Sequence, residues 1–360
     1  MLDIWPELPI YIHAIGLDGA SEETRDDVVA ALKLNHRVSG IRLENIRDSE
    51  WETILPLMQH PFPSLTYLWI HPKHPIENAI TRSFLGGSAP CLRGLRLVGV
   101  SFRALPQLLL SATNLVRLFY GNIPPRGYIS PQSMVIGLSA LTRLESLSLV
   151  FQLSHHRPIR ITPPPHTRTL LPALTHFHFG GVPEYLEELV AQIDAPLLDS
   201  MTIALWQPQV FEVSELEKFV RRADKLSLAD RAEATFDTDC VFITFSPEWL
   251  GERVDPKTFT LDPETSRSHL RLSNLARFCT SCLPTTSPFE TLYIFSPYEG
   301  SWQGTIDDSD PQWWFELLRP FTNVKDLYLS HDVVPHIAQA LRGLPVERVT
   351  EVLPALGNVV

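Results

Sequence analysis

A short apolar phrase recurs along this chain, and each copy gives way to a stretch of helical periodicity. It reads Val38-x-x-Ile41-x-Leu43, Leu65-x-x-Leu68-x-Ile70, Leu92-x-x-Leu95-x-Leu97, Leu115-x-x-Leu118-x-Tyr120, Leu144-x-x-Leu147-x-Leu149, Leu174-x-x-Phe177-x-Phe179 and Leu198-x-x-Met201-x-Ile203. Successive copies start 27, 27, 23, 29, 30 and 24 residues apart. Between copies the apolar residues fall at helical spacing: Trp51, Ile54, Leu55 and Met58, then Leu105, Leu108 and Leu109. Tyr185, Leu186, Leu189, Val190 and Ile193 repeat the pattern, with Pro183 at a first-turn position.

Each unit is thus predicted to be strand, turn, helix and return, at the period of a leucine-rich repeat. One unit buries too little apolar surface to order its own backbone, so the units must stack. The expected fold is an α/β leucine-rich-repeat solenoid, a horseshoe with a parallel sheet on its concave face, forming a single domain over 1–360. The last two apolar positions of each phrase are two residues apart and point into the core. The predicted buried pairs are Ile41 and Leu43, Leu68 and Ile70, Leu95 and Leu97, Leu118 and Tyr120, Leu147 and Leu149, and Phe177 and Phe179. The gap positions then face the concave wall, which places Arg42, Tyr67, Trp69, Arg96, Arg117, Phe119, His176, His178, Tyr293 and Tyr328 there as candidate binding residues. The other reading of these residues is ordinary strand surface, stacking from one strand to the next.

After residue 203 the rhythm weakens, then returns as Phe289-x-x-Leu292-x-Ile294 and Val324-x-x-Leu327-x-Leu329. Residues 214–223 are predicted helical, 233–236 and 241–245 short strands, and 246–267 loop. Residues 204–288 read as two or three irregular units of the same array, with a separate domain as the alternative. Two insertions, 157–172 with its triple proline and 299–311 with Asp307, Asp308 and Asp310, read as solvated rim loops.

A net charge of −11 opposes a phosphate backbone and argues against nucleic acid as partner. No apolar run reaches the length of a membrane span, and the opening residues lack the basic start and apolar block of a signal peptide. Four cysteines in 360 residues are too few for a disulfide framework, and no asparagine begins a glycosylation sequon. A cytoplasmic or nuclear setting is expected. Most of the 31 prolines sit at unit boundaries, as at Pro63, Pro90 and Pro196, where they end one segment and lead into the next strand.

Signs of catalysis are sparse. Phosphate-cradling glycine loops, Gly-x-Ser-x-Gly and His-Glu-x-x-His are all missing from the sequence, and Gly137-Leu-Ser139 does not complete a serine-nucleophile elbow. His176 and His178, two apart on a strand, point the same way, but serines and threonines flank them where a third metal ligand is needed. Cys279 and Cys282 have the spacing of a redox or half-zinc motif. Leu272, Leu275, Ala276 and Leu283 put that pair on an apolar helical stripe, which reads as two buried thiols. No cofactor, no metal and no enzymatic activity is expected.

Stretches such as Phe84-Leu-Gly-Gly-Ser-Ala-Pro-Cys-Leu-Arg, Leu108-Leu-Leu-Ser-Ala-Thr-Asn-Leu-Val, Gly127-Tyr-Ile-Ser-Pro, Gly137-Leu-Ser-Ala-Leu-Thr-Arg-Leu-Glu-Ser-Leu and Glu184-Tyr-Leu-Glu-Glu-Leu-Val-Ala-Gln-Ile-Asp-Ala-Pro-Leu-Leu-Asp resemble the F-box proteins with leucine-rich repeats of mushroom-forming fungi. The likeness runs over most of the chain. It implies a repeat array that selects the substrate of a ubiquitin ligase, with an F-box ahead of it that docks on the ligase core. Here Trp5-Pro-Glu-Leu-Pro-Ile-Tyr-Ile resembles the family's approach to the repeats, with no helical F-box before it. The expectation is therefore a protein-binding module with an unknown protein partner on its concave face, meeting the ligase adaptor only where an F-box is supplied elsewhere. Two other readings are an enzyme on an unrecognised α/β fold and a family relic that retains no partner.

Overall fold

The computed structural model describes residues 8–16, 22–76, 80–152, 167–206, 214–223, 231–236, 240–246, 290–295, 312–329, 331, 334–342 and 352–359. Strands and helices alternate along the chain, and most strand pairs are parallel. The chain divides into two compact units, Met1–His178 with Gln192–Ala195, and Phe179–Ala191 with Pro196–Val360.

In the first unit, β1 (Ile10–Ile15), β2 (Val38–Ile46), β3 (Tyr67–Pro72), β4 (Gly94–Val98), β5 (Arg117–Ile123) and β6 (Ser146–Phe151) pair in chain order, every pair parallel. Helices α1 (Glu22–Lys33), α2 (Asp48–Leu57), α3 (Leu105–Leu109) and α4 (Pro131–Leu138) lie in the returns. The register aligns the phrases residue for residue. Ile12, Ile41, Leu68, Leu95, Leu118 and Leu147 form one continuous row, and Ala14, Leu43, Ile70, Leu97, Tyr120 and Leu149 form the next. Both rows are buried, so all of the predicted pairs from Ile41 to Leu149 lie in the core. Phe177 and Phe179, in β8 (His176–Gly181), are buried as well.

Two backbone devices set this register. In five of the phrases the first residue donates its N–H to the carbonyl three residues earlier, Leu65 to Phe62, Leu92 to Ala89, Leu115 to Ala112, Leu144 to Leu141 and Leu174 to Leu171, over 2.9–3.3 Å. The acceptor residues are buried apolar side chains, so the turn is pinned from inside. One carbonyl per unit then accepts two N–H groups from the following unit: Thr66 from Arg93 and Gly94, Arg93 from Val116 and Arg117, and Val116 from Glu145 and Ser146. A slip of one residue would break both devices and turn every leucine outward.

The helices are capped by means the sequence supplies. Glu50, at the third position of α2, is buried and accepts from the Arg47 N–H at 3.1 Å, while Arg47 Nη2 and Arg25 Nε of α1 lie 3.2 and 3.6 Å from its carboxylate. Ser130 Oγ accepts from the Ser133 N–H ahead of α4, whose first residue is Pro131. Tyr120 reaches behind β5: its hydroxyl sits 3.0 Å from Val100 O and 3.3 Å from Gly127 O and accepts from the Phe102 N–H at 3.1 Å. Burial pushes this phenol far above its ordinary pKa, so it stays neutral and bonded.

Two expectations need correction in this unit. Residues 157–172 are not loop throughout, because β7 (Thr169–Leu170) pairs in parallel with β9 (Ile193–Asp194), and Leu171 N–H closes on Asp194 O at 2.8 Å. Ile193 is correspondingly a buried strand residue and not the last residue of a helical stripe. Its side chain satisfies helical spacing, but the helix before it ends at Val190.

In the second unit, α5 (Pro183–Val190) opens on Pro183 and buries Tyr185, Leu186, Leu189 and Val190, as their spacing predicts. It packs beside α6 (Ser214–Arg222), which buries Leu216, Phe219 and Val220. β10 (Ser200–Trp206) pairs antiparallel with β12 (Cys240–Ser246), which pairs antiparallel with β11 (Arg231–Phe236). β11, β13 (Thr291–Phe295), β14 (Asp326–Leu329) and β15 (Asn358–Val359) are then parallel neighbours in that order. The strands at 233–236 and 241–245 are therefore present, but as a hairpin and not as parallel repeats. Only residues 237–239 join them, and a parallel crossover needs about a dozen. The regular devices return after the hairpin: Val324 donates to Phe321 O and Leu356 to Leu353 O, and Glu290 O and Lys325 O each accept two N–H groups. Of the expected 246–267 loop, Ser246 is the last residue of β12, and residues 247–267, the helical stripe around Cys279 and Cys282 and the acidic insertion lie outside the described residues.

Candidate functional site

The strand face opposite the core is built in the first unit from the gap positions of β1 to β6. Register sets His13, Arg42, Trp69, Arg96, Phe119 and Ser148 side by side in one row. Tyr11, Gly40, Tyr67, Gly94, Arg117 and Ser146 form the row beside it. Strand pleat alone dictates this arrangement, because residues two apart share a face and parallel neighbours extend each row across the sheet.

Cations and rings alternate along the first row. The Arg42 guanidinium carbon stands 3.9 Å from the Trp69 ring centre, and that of Arg96 stands 4.8 Å from Trp69 and 3.9 Å from Phe119. Trp69 thus separates two arginines, and Arg96 is flanked by two rings. Arg42 also donates to Glu44 on its own strand, and this bond holds the Arg42 pKa above its ordinary value. Arg96 has no such carboxylate among the described residues. Burial lowers its pKa, and its Nε is enclosed without a hydrogen-bond partner among the described residues, as is Trp69 Nε1.

In the second row, two tyrosines lie flat where the neighbouring strand has no side chain. A Cβ at position 94 would come within 2.7 Å of the Tyr67 ring, and one at position 40 within 2.2 Å of the Tyr11 ring. A side chain at either position would push the ring aside, so glycine there serves the close approach of the ring and not a special backbone conformation. Burial, then the neighbouring Tyr11, raises the Tyr67 pKa. Farther along the strands, His71 is half-buried and its pKa is lowered by desolvation, against the pull of Glu44.

No family model and no curated protein matches this chain.

The predicted site residues fall into three groups. Arg42, Trp69, Arg96 and Phe119 are brought into mutual contact, with Tyr67 and Arg117 in the adjoining row. His176 and His178 part company: His176 is exposed with Nδ1 2.8 Å from Thr175 Oγ1, whereas His178 is half-buried, with Nδ1 3.2 Å from Ser148 Oγ and its pKa pushed down to about 4 by burial. Among the described residues no cluster of three or more His, Cys, Asp or Glu can hold a metal ion. Tyr293 and Tyr328 belong to the second unit, where register makes them neighbours on β13 and β14 and where Tyr293 also pairs with Glu233.

Sequence reasoning missed Tyr11, His13, Gly40, Gly94 and Glu44. Tyr11 and His13 alternate with Ile10, Ile12 and Ala14, which is a strand pattern, but Pro9 and Ala14 stand where the phrase has large apolar residues. Cys91 is free and exposed. No helix among the described residues is long and apolar enough to cross a membrane.

Proposed function

We propose that this chain is a leucine-rich-repeat solenoid whose open sheet face binds a protein partner, as the substrate-recognition region of an F-box-type ubiquitin-ligase receptor that works in the cytoplasm or nucleus. The observation that carries the reading is the row Arg42, Trp69, Arg96, Phe119, in which rings and guanidinium groups are stacked in advance and only partly covered. Tryptophan, tyrosine and arginine dominate binding hot spots, because they offer large area and forked hydrogen bonds for little loss of freedom. Here the stacking has already removed that freedom. The ubiquitin-ligase part of the reading rests on the sequence resemblance, and the single-array part on the recurrence of the same turn and double-acceptor devices in both units. Docking on the ligase adaptor is proposed only for a chain that carries or is joined to an F-box.

Proximity labelling in the native cell tests the reading without a prior guess at the partner. The full chain should label a defined set of proteins that the Trp69→Ala, Arg96→Ala double variant loses while its melting temperature stays within a few degrees of wild type. An unchanged set of labelled proteins would remove this face from the binding function.

A further inference from the structure

The same face has a charge opposite to that of the molecule that bears it. The chain carries a net charge of −11, yet the open side of β1 to β6 holds Arg42, Arg96, Arg117 and His13, and Glu44 is the one carboxylate on those strands. Glu44 is already bonded to Arg42. Arg96 and Arg117 make no ion pair with any described residue, although acidic side chains outnumber basic ones 41 to 30 along the chain. We infer that the partner is recognised through an extended acidic segment, whose carboxylates meet Arg96 and Arg117 as the peptide crosses the strands over Trp69, Phe119 and Tyr67. This inference rests on the protein-binding reading above and names the chemical class of what is bound.

Geometry selects the class. Rings cover Arg96 on both sides and its Nε is enclosed, which leaves the terminal nitrogens at the solvent edge as the donors still open. A guanidinium confined in this way presents a planar two-donor fork, the shape that a carboxylate matches with its two oxygens. The partly dehydrated cation gains more from such a partner than a solvated lysine would. Trp69 stands between Arg42 and Arg96, so these two cations do not converge on one anion. Each arginine instead takes a separate monoanion. The six strands span about 24 Å at about 4.8 Å per interval, which an extended peptide covers in about seven residues.

The test uses the intact chain and a fluorescein-labelled peptide of about eight residues in alternating Glu and Ala, with its Gln counterpart and a phosphoserine counterpart as comparisons. The Glu peptide should bind, with the Gln peptide at least about tenfold weaker. Arg96→Gln and the exposed Arg117→Ala should each weaken the Glu peptide about tenfold. Because Arg117→Ala removes only a surface side chain, it keeps the test valid if Arg96→Gln fails to fold. Glu44→Gln should tighten binding by releasing Arg42, an effect that a merely structural Glu44 would not produce. Equal binding of the Glu and Gln peptides, or indifference to both arginine variants, overturns the inference. A phosphoserine peptide that binds markedly tighter than the Glu peptide overturns the carboxylate assignment. Should the Glu peptide fail while the double variant still loses its labelled partners in cells, the acidic class falls and the protein-binding reading stands.

Discussion

Tyr120 shows how one residue can belong to the core and still obey polar rules. It occupies the third apolar position of its phrase, fully buried, and its hydroxyl binds Val100 O, Gly127 O and the Phe102 N–H. Tyr120→Phe keeps the ring and abandons those three groups in a dry interior. The expected loss is about 1–3 kcal/mol in denaturant unfolding, since a buried polar group left alone costs its full desolvation. A variant as stable as wild type would mean that water replaces the hydroxyl. At this scale the sequence was legible wherever a large apolar residue marked the inward face, because a strand has only two faces and naming one names the other. Arg42, Trp69, Arg96 and Phe119 were readable for that reason. The flat seating of Tyr11 on Gly40 and Tyr67 on Gly94 was not, because it depends on which residues of two different strands fall opposite each other.

At the scale of elements, α5 and α6 are joined by a cap borrowed across helices. Glu187 of α5 accepts from the N–H groups of Glu215 and Leu216 at 2.9 and 3.0 Å, in the first turn of α6. Such bonds favour the ionised carboxylate, but burial outweighs them and raises its pKa to about 7, while Glu215 raises and Lys218 lowers it further. A carboxyl raised in the folded state binds more protons folded than unfolded between pH of about 4.5 and about 7. Its contribution to stability therefore falls as pH rises through that window. Melting temperatures of wild type and Glu187→Gln across it should show wild type losing ground steadily to the variant. The reverse trend would mean that Glu187 behaves as an ordinary capping anion. Element type was broadly legible, since helical and strand spacing differ over short windows. Strand direction in β11 and β12 was not, because alternation is the same read either way and only the short connection at 237–239 decides it.

At the scale of the whole molecule, each unit stacks strands through the same two backbone devices, so that one row of buried aliphatics implies one row of open side chains one residue along the strands. The proposed function depends on that register more than on any single contact. Hydroxyl-radical footprinting of the native full chain, read residue by residue, tests it directly. The register described here predicts modification at Tyr11, Tyr67, Trp69 and Phe119 with Leu68, Leu95, Leu118 and Leu147 protected. Modified leucines beside protected aromatics would place the strands one residue out of step and contradict the account.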